Sequence, residues 1–141
     1  MLNFVYDDGG RSKYYTATKV GDCVTRAISI ASGMDYQEVY NMIADANNRK
    51  YKHKKKKSSP RNGVYKEDIN YIMGVLGFKW HSCMSIGTGC KVHLNTDEIP
   101  MDKVIICSVS KHLVAVKNGV IHDTYDPSRN GMRCVYGYWE K

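Results

Sequence analysis

No apolar run in this chain approaches the roughly 20 residues needed to cross a bilayer, so nothing in it reads as a transmembrane segment. Its start, MLNFVYDDGGRSKYY, lacks the basic opening and apolar centre of a secretory leader. Cysteine occurs five times, at Cys23, Cys83, Cys90, Cys107 and Cys134. An odd number cannot close a disulfide framework, so free thiols are expected. These absences point to a protein that works in a reducing cytoplasm without a membrane partner. No internal repeat and no linker-like stretch divides the 141 residues, and a 43% apolar content suffices for one core. A single domain over residues 1–141 is the expectation.

The formal net charge of +7 is confined to one place. Seven of the 21 basic residues fall in Arg49 to Lys57, RKYKHKKKK, and the rest of the chain balances 14 basic against 14 acidic residues. Such a block repels itself and favours a solvated, mobile loop, here expected at about 49–63 with Ser58, Ser59, Pro60 and Gly63 in it. The same lysines could release counterions from a phosphate backbone, and Tyr51 could stack on a base, so nucleic acid or another anionic partner is the alternative use of Arg49–Lys57.

Local pattern predicts helices first and strands afterwards. A first helix should begin at Cys23, with Asp22 as its N-cap, and end by Gly33. Val24, Ala27, Ile28, Ile30 and Ala31 spread around its circumference, which marks a helix buried centrally. A second fits Tyr36 to about Asn48, with Val39, Met42, Ile43 and Ala46 at helical spacing. A third fits Lys66 to Leu76, stopped by Gly77. Strands are expected at FKWHSC, VIICSV, HLVAV, GVIHDTY and MRCVYGYWE, with Asn118-Gly119 as a hairpin turn between two of them. The fold class is therefore α+β, helices packed on a C-terminal antiparallel sheet.

A cysteine in the first turn of a helix meets unpaired amides, which favour the thiolate. Burial and the Asp22 carboxylate oppose this, so activation also requires an imidazole. Of the five histidines, His53 and His93 lie in polar surroundings, and His122 falls on the opposite hairpin face. His112 opens the apolar strand HLVAV, where a polar ring needs partners. A two-residue turn at Asn118-Gly119 pairs Lys117 with Val120, Val114 with Asp123 and His112 with Tyr125. Asp123 is then diagonal to His112, close enough to hold its ring, with Asp126 in reserve. Cys23, His112 and Asp123 form a candidate nucleophile, base and orienter. The bland alternative makes Cys23 inert packing, as Cys107 and Cys134 are read to be. His81, Cys83, Cys90 and His93 could be zinc ligands in principle, but their first pair has strand spacing rather than that of a knuckle. No metal or cofactor is expected.

GDCVTRAI followed by HLVAVKNGVIHDTYD resembles the papain-like cysteine peptidase superfamily, in particular its small bacteriophage-encoded members. The resemblance implies a papain-like fold and a Cys23 thiolate that attacks the acyl carbon of a peptide, isopeptide or related amide. His112 would serve as base and acid and Asp123 as orienter, in a phage product acting in the cytoplasm of a bacterial host. Papain-like enzymes place an oxyanion-binding Gln a few residues before the cysteine, where this chain has Ala17 and Thr18. The backbone amide of Cys23 is the donor the sequence names, with Thr18 or Lys19 as further candidates. CVTRAIS also resembles the DGNCLFRAI segment of ovarian-tumour deubiquitinases, with Val20 in place of their aspartate. The non-catalytic alternative is a nucleic-acid or host-protein binding module using residues 49–57.

Overall fold

A computed structural model describes residues 1–16, 21–50, 59–60, 63–64 and 66–141, with only the helical backbone described for 47–50. The described elements are β1 (Asn3–Tyr6), a short 3-10 helix (Arg11–Lys13), α1 (Cys23–Ser32), α2 (Tyr36–Lys50), α3 (Lys66–Leu76), β2 (Lys79–Ser82), β3 (Val104–Val109), β4 (His112–Lys117), β5 (Val120–Asp123) and β6 (Gly137–Glu140). The class is mixed α+β, with a six-stranded sheet in the order β1-β5-β4-β3-β6-β2. Among the described residues no helix is long and apolar enough to cross a membrane. Of the basic run, residues 51–57 and the side chains of Arg49 and Lys50 lie outside the described residues, as do Ala17, Thr18, Lys19 and Val20.

The middle strands explain the continuous apolar runs, because they are buried on both faces. One face, including Ile106, Leu113, Ala115 and Trp139, packs against Val24, Ile28, Ile43 and Ile72 of the helices. The other, including Ile105, Cys107, Val114, Val116 and Ile121, is covered by Leu94, Ile99 and Val135. Helix α1 is buried from Val24 to Ile30 and lies on β4, so it is central as its composition predicts. Gly33 ends it in the left-handed region at φ 74°, and its amide donates to Ser29 O at 3.0 Å.

Two features of the expected sheet are corrected. It is neither wholly C-terminal nor wholly antiparallel, because β1 pairs in parallel with β5, Asn3 opposite Val120 and Tyr6 opposite Asp123. All four β1 residues are exposed, so no buried face produced an alternation to read. The last predicted strand is also shorter: Cys134 makes only an isolated bridge with His93, and the ladder begins at Gly137.

Asn118 and Gly119 both have positive φ, 50° and 78°, which gives the hairpin its twist and sets Lys117 opposite Val120. The ladder then stops at Ala115 and His122, so the expected pairs Val114–Asp123 and His112–Tyr125 are not rungs of it. The reason is local. The Asp123 carbonyl accepts from Asp7 N at 2.9 Å, and the Thr124 amide turns back to the Asp123 carboxylate at 2.7 Å. The strand ends are thereby released from strict pairing at the point where the chemistry-bearing side chains stand.

Candidate active site

Three element ends converge. Cys23 is the first residue of α1, His112 the first of β4 and Asp123 the last of β5. The Asp123 Oδ2 lies 2.6 Å from His112 Nε2, with both side chains buried. The half-buried Cys23 thiol lines one cleft with His112 and Leu113, so that the imidazole and the Leu113 amide both act on its ionisation. Since Nε2 is committed to Asp123, Nδ1 is the ring nitrogen left for the sulfur. Asp126 is exposed, and its Oδ1 accepts from Ser128 N at 2.9 Å. Asp123 is therefore the carboxylate on the imidazole.

The electrostatics of the pair follow from these contacts. Burial opposes ionisation of Cys23, but the His112 hydrogen bond, the Leu113 amide and the charges of His112 and Arg26 together bring the thiol below its ordinary value. Burial likewise pulls His112 down, and the hydrogen bonds and charges of Asp123 and Cys23 outweigh it, raising the imidazole to about 9. Both shifts run toward a thiolate beside an imidazolium. The other thiols differ: burial raises both Cys83 and Cys107, and Cys107 is wholly enclosed.

Behind the three residues lies a buried ionic network that local pattern did not reveal. Arg26, one helical turn beyond Cys23, sends Nη1 to Asp22 Oδ1 and Nη2 to Asp123 Oδ1, the latter at 3.1 Å. Asp22 also accepts from Arg11 Nη1 at 3.1 Å and from the Tyr36 hydroxyl at 2.7 Å. Asp22 thus makes no side-chain cap on α1, contrary to its expected role, because two guanidinium groups occupy its oxygens. Its charge is compensated locally, which removes the opposition it would otherwise offer to a thiolate. The i,i+4 spacing of Asp22 and Arg26 was the available signal.

Cys23 opens into a cleft of about 920 Å³. Its walls include Val64, Ile69, Leu113 and Tyr136, with Trp80 and Trp139 in tilted contact at 5.0 Å between ring centroids. Gly137 is required for this wall: a Cβ there would stand 2.7 Å from the His81 carbonyl and run into the Trp80 ring. Loop residues tie the cleft to α1, with the Thr25 hydroxyl donating to Pro60 O at 2.6 Å.

Of the four residues that could have made a zinc site, Cys83 is a free thiol and the other three go to separate partners. His81 lies 3.0 Å from Glu140, His93 lies 3.0 Å from Glu98, and Cys90 is joined to Cys134 in a disulfide with a Cα separation of 5.8 Å. That bond corrects the expectation of Cys134 as core packing, while Cys23, Cys83 and Cys107 are free thiols as expected. The pairing is produced by the bridge between His93 and Cys134, which aligns segments 44 residues apart. His122, half-buried, pairs with Asp7 at 3.0 Å away from the thiol. In comparisons with protein-family models, curated proteins and solved structures, none matches this chain.

Proposed function

We propose that this protein is a cysteine-dependent hydrolase or acyl transferase of papain-like type, acting on a peptide, isopeptide or related amide. The observation that carries the reading is the Cys23–His112–Asp123 constellation, in which a lowered thiol meets a raised imidazole held at 2.6 Å by a buried carboxylate. In the reaction, Cys23 Sγ attacks the acyl carbon and the Cys23 amide donates to the resulting oxyanion. Collapse breaks the C–N bond, the amine leaves with a proton from the His112 imidazolium, and a thioester remains on Cys23. The neutral imidazole then takes a proton from water, or from an acceptor amine, as that nucleophile attacks the thioester. The thiolate departs and the ion pair is restored. Asp123 keeps the ring oriented and stabilises its charged form throughout. The apolar cleft beside Cys23 suits a bulky apolar side chain on the acyl part of the substrate.

The reading extends to a bacteriophage product working in the cytoplasm of a bacterial host, a setting that the Cys90–Cys134 bond pulls against. The test is a digest of a whole-proteome peptide library with mass spectrometry of new termini. Wild type should create termini that Cys23→Ala does not. Identical termini from both, or no new termini and no acyl transfer to added amine, would overturn the proposal.

A further inference from the structure

A second cavity, of about 580 Å³, is also lined by His112. It shares Lys111 and His112 with the apolar cleft but is not lined by Cys23. Its chemistry is the reverse of the cleft's: Lys111, Arg129 and Arg133 line it, against the single carboxylate of Asp126. Asp126 spends one oxygen on the Ser128 amide.

Arg133 is the telling residue. It is only 9% exposed, yet among the described residues no carboxylate lies within ion-pair distance of it. Nη1 donates to Pro127 O at 3.3 Å and Nη2 to Ser110 O, while the buried Nε has no partner. A buried guanidinium facing only carbonyl dipoles keeps a strong preference for an anion. The loop before it is held in an unusual shape, with Arg129, Asn130 and Gly131 all left-handed at φ 52°, 58° and 79°. Two successive non-glycine residues in that region mark a backbone conformation maintained by its surroundings, and such positions cluster at ligand clamps.

We propose that this cavity binds a carboxylate carried by the leaving group, so that the preferred substrates are amides whose amine component bears an acidic side chain or a free carboxyl terminus. The inference rests on the thiol-acyl reading. His112 is the group that protonates the departing amine, so a cavity that His112 lines and Cys23 does not suits the leaving part. Arg133 Nε and Arg129 and Lys111 at the rim supply the donors.

The test is an NMR titration of the whole chain that follows the Arg133 Nε–H and the His112 ring. Three probes separate the sources of the carboxylate: N-acetylglycine for a chain terminus, N-acetylaspartic acid α-amide for a side chain, and N-acetylasparagine amide as the neutral control. At least one carboxylate probe should shift both signals saturably, weaken with added salt, and bind at least tenfold less tightly to the Lys111→Met/Arg129→Met double variant. Equal shifts with the neutral control, or no saturable shift in wild type, would overturn the proposal without recourse to any variant. Iodoacetamide labelling of Cys23 in the same samples separates the two readings. Loss of selective labelling ends the thiol mechanism, whereas intact labelling without a carboxylate-specific shift ends the subsite alone.

Discussion

Replacing His112 with alanine should slow alkylation of Cys23 by iodoacetamide at pH 7 but not at pH 10. The imidazole supplies Cys23 with a hydrogen bond and a positive charge; without it the thiol retains the Leu113 amide and the Arg26 charge against the opposing effect of burial. Burial is the largest of these influences and opposes the two that remain, so the thiol should return to its ordinary range. An ordinary thiol of pKa about 8.5 is roughly 3% ionised at pH 7, which caps the loss of rate at about 30-fold from a fully ionised start. The less acidic thiolate is also more nucleophilic, with a Brønsted slope of about 0.4–0.5, which offsets most of that, so the observed loss should be about two- to fourfold. Peptide-resolved mass spectrometry over a pH series measures it. Cys107, enclosed and shifted upward by burial, should stay unlabelled and so report that packing survives. Superimposable pH–rate profiles for Cys23 in wild type and His112→Ala would refute the account of the thiol.

The imidazole itself sets a stability window. Its folded value lies above the unfolded one, about 9 against 6.5, so its contribution of about 3 kcal/mol is complete below pH 6.5 and lost as pH rises through 9. The difference in denaturant midpoint between wild type and His112→Ala should shrink over that interval, and a constant difference from pH 6 to 10 would contradict it. Asp123→Asn should move the alkaline limb of Cys23-dependent turnover downward and lower its rate, whereas Asp126→Asn should leave the alkaline limb in place, since of the two only Asp123 touches the ring. Arg26→Met leaves Asp22 and Asp123 short of a shared cation and should destabilise the fold by about 3–5 kcal/mol, lowering the melting midpoint by roughly 10 °C or more. A fall of less than about 2 °C by calorimetry would show the network to be dispensable. Gly137→Ala forces β6 away from the His81 carbonyl and the Trp80 ring, and overpacking of this kind costs about 1–3 kcal/mol. Tryptophan emission should shift with it, and an unchanged spectrum and midpoint would show that the wall yields freely.

What could be read from the sequence, and what could not, divides by how local the cause is. The α1 boundaries follow from an apolar decapeptide closed by Gly33, and the β4–β5 turn follows from Asn118-Gly119. Both are decided within a few residues. The exposed β1 carries no buried face, so its parallel pairing with β5 is set wholly by distant contacts. The same is true of the disulfide across 44 residues and of the Arg26 network, whose guanidinium bridges carboxylates 101 positions apart, at Asp22 and Asp123. Asp123 is an instructive middle case. Hairpin register brought it near His112, yet the ladder ends before reaching that rung. The two meet because both strands stop there, which frees a terminal ring and a terminal carboxylate to turn toward each other and toward the first residue of α1. Sequence pattern is most informative at element ends, and Cys23, His112 and Asp123 all stand at such ends. Arg26 within a helix and Arg133 in a loop take their roles from distant partners, so charge in unfavourable surroundings is the signal they offer: Arg26 in an apolar helix, and Arg133 buried without a carboxylate.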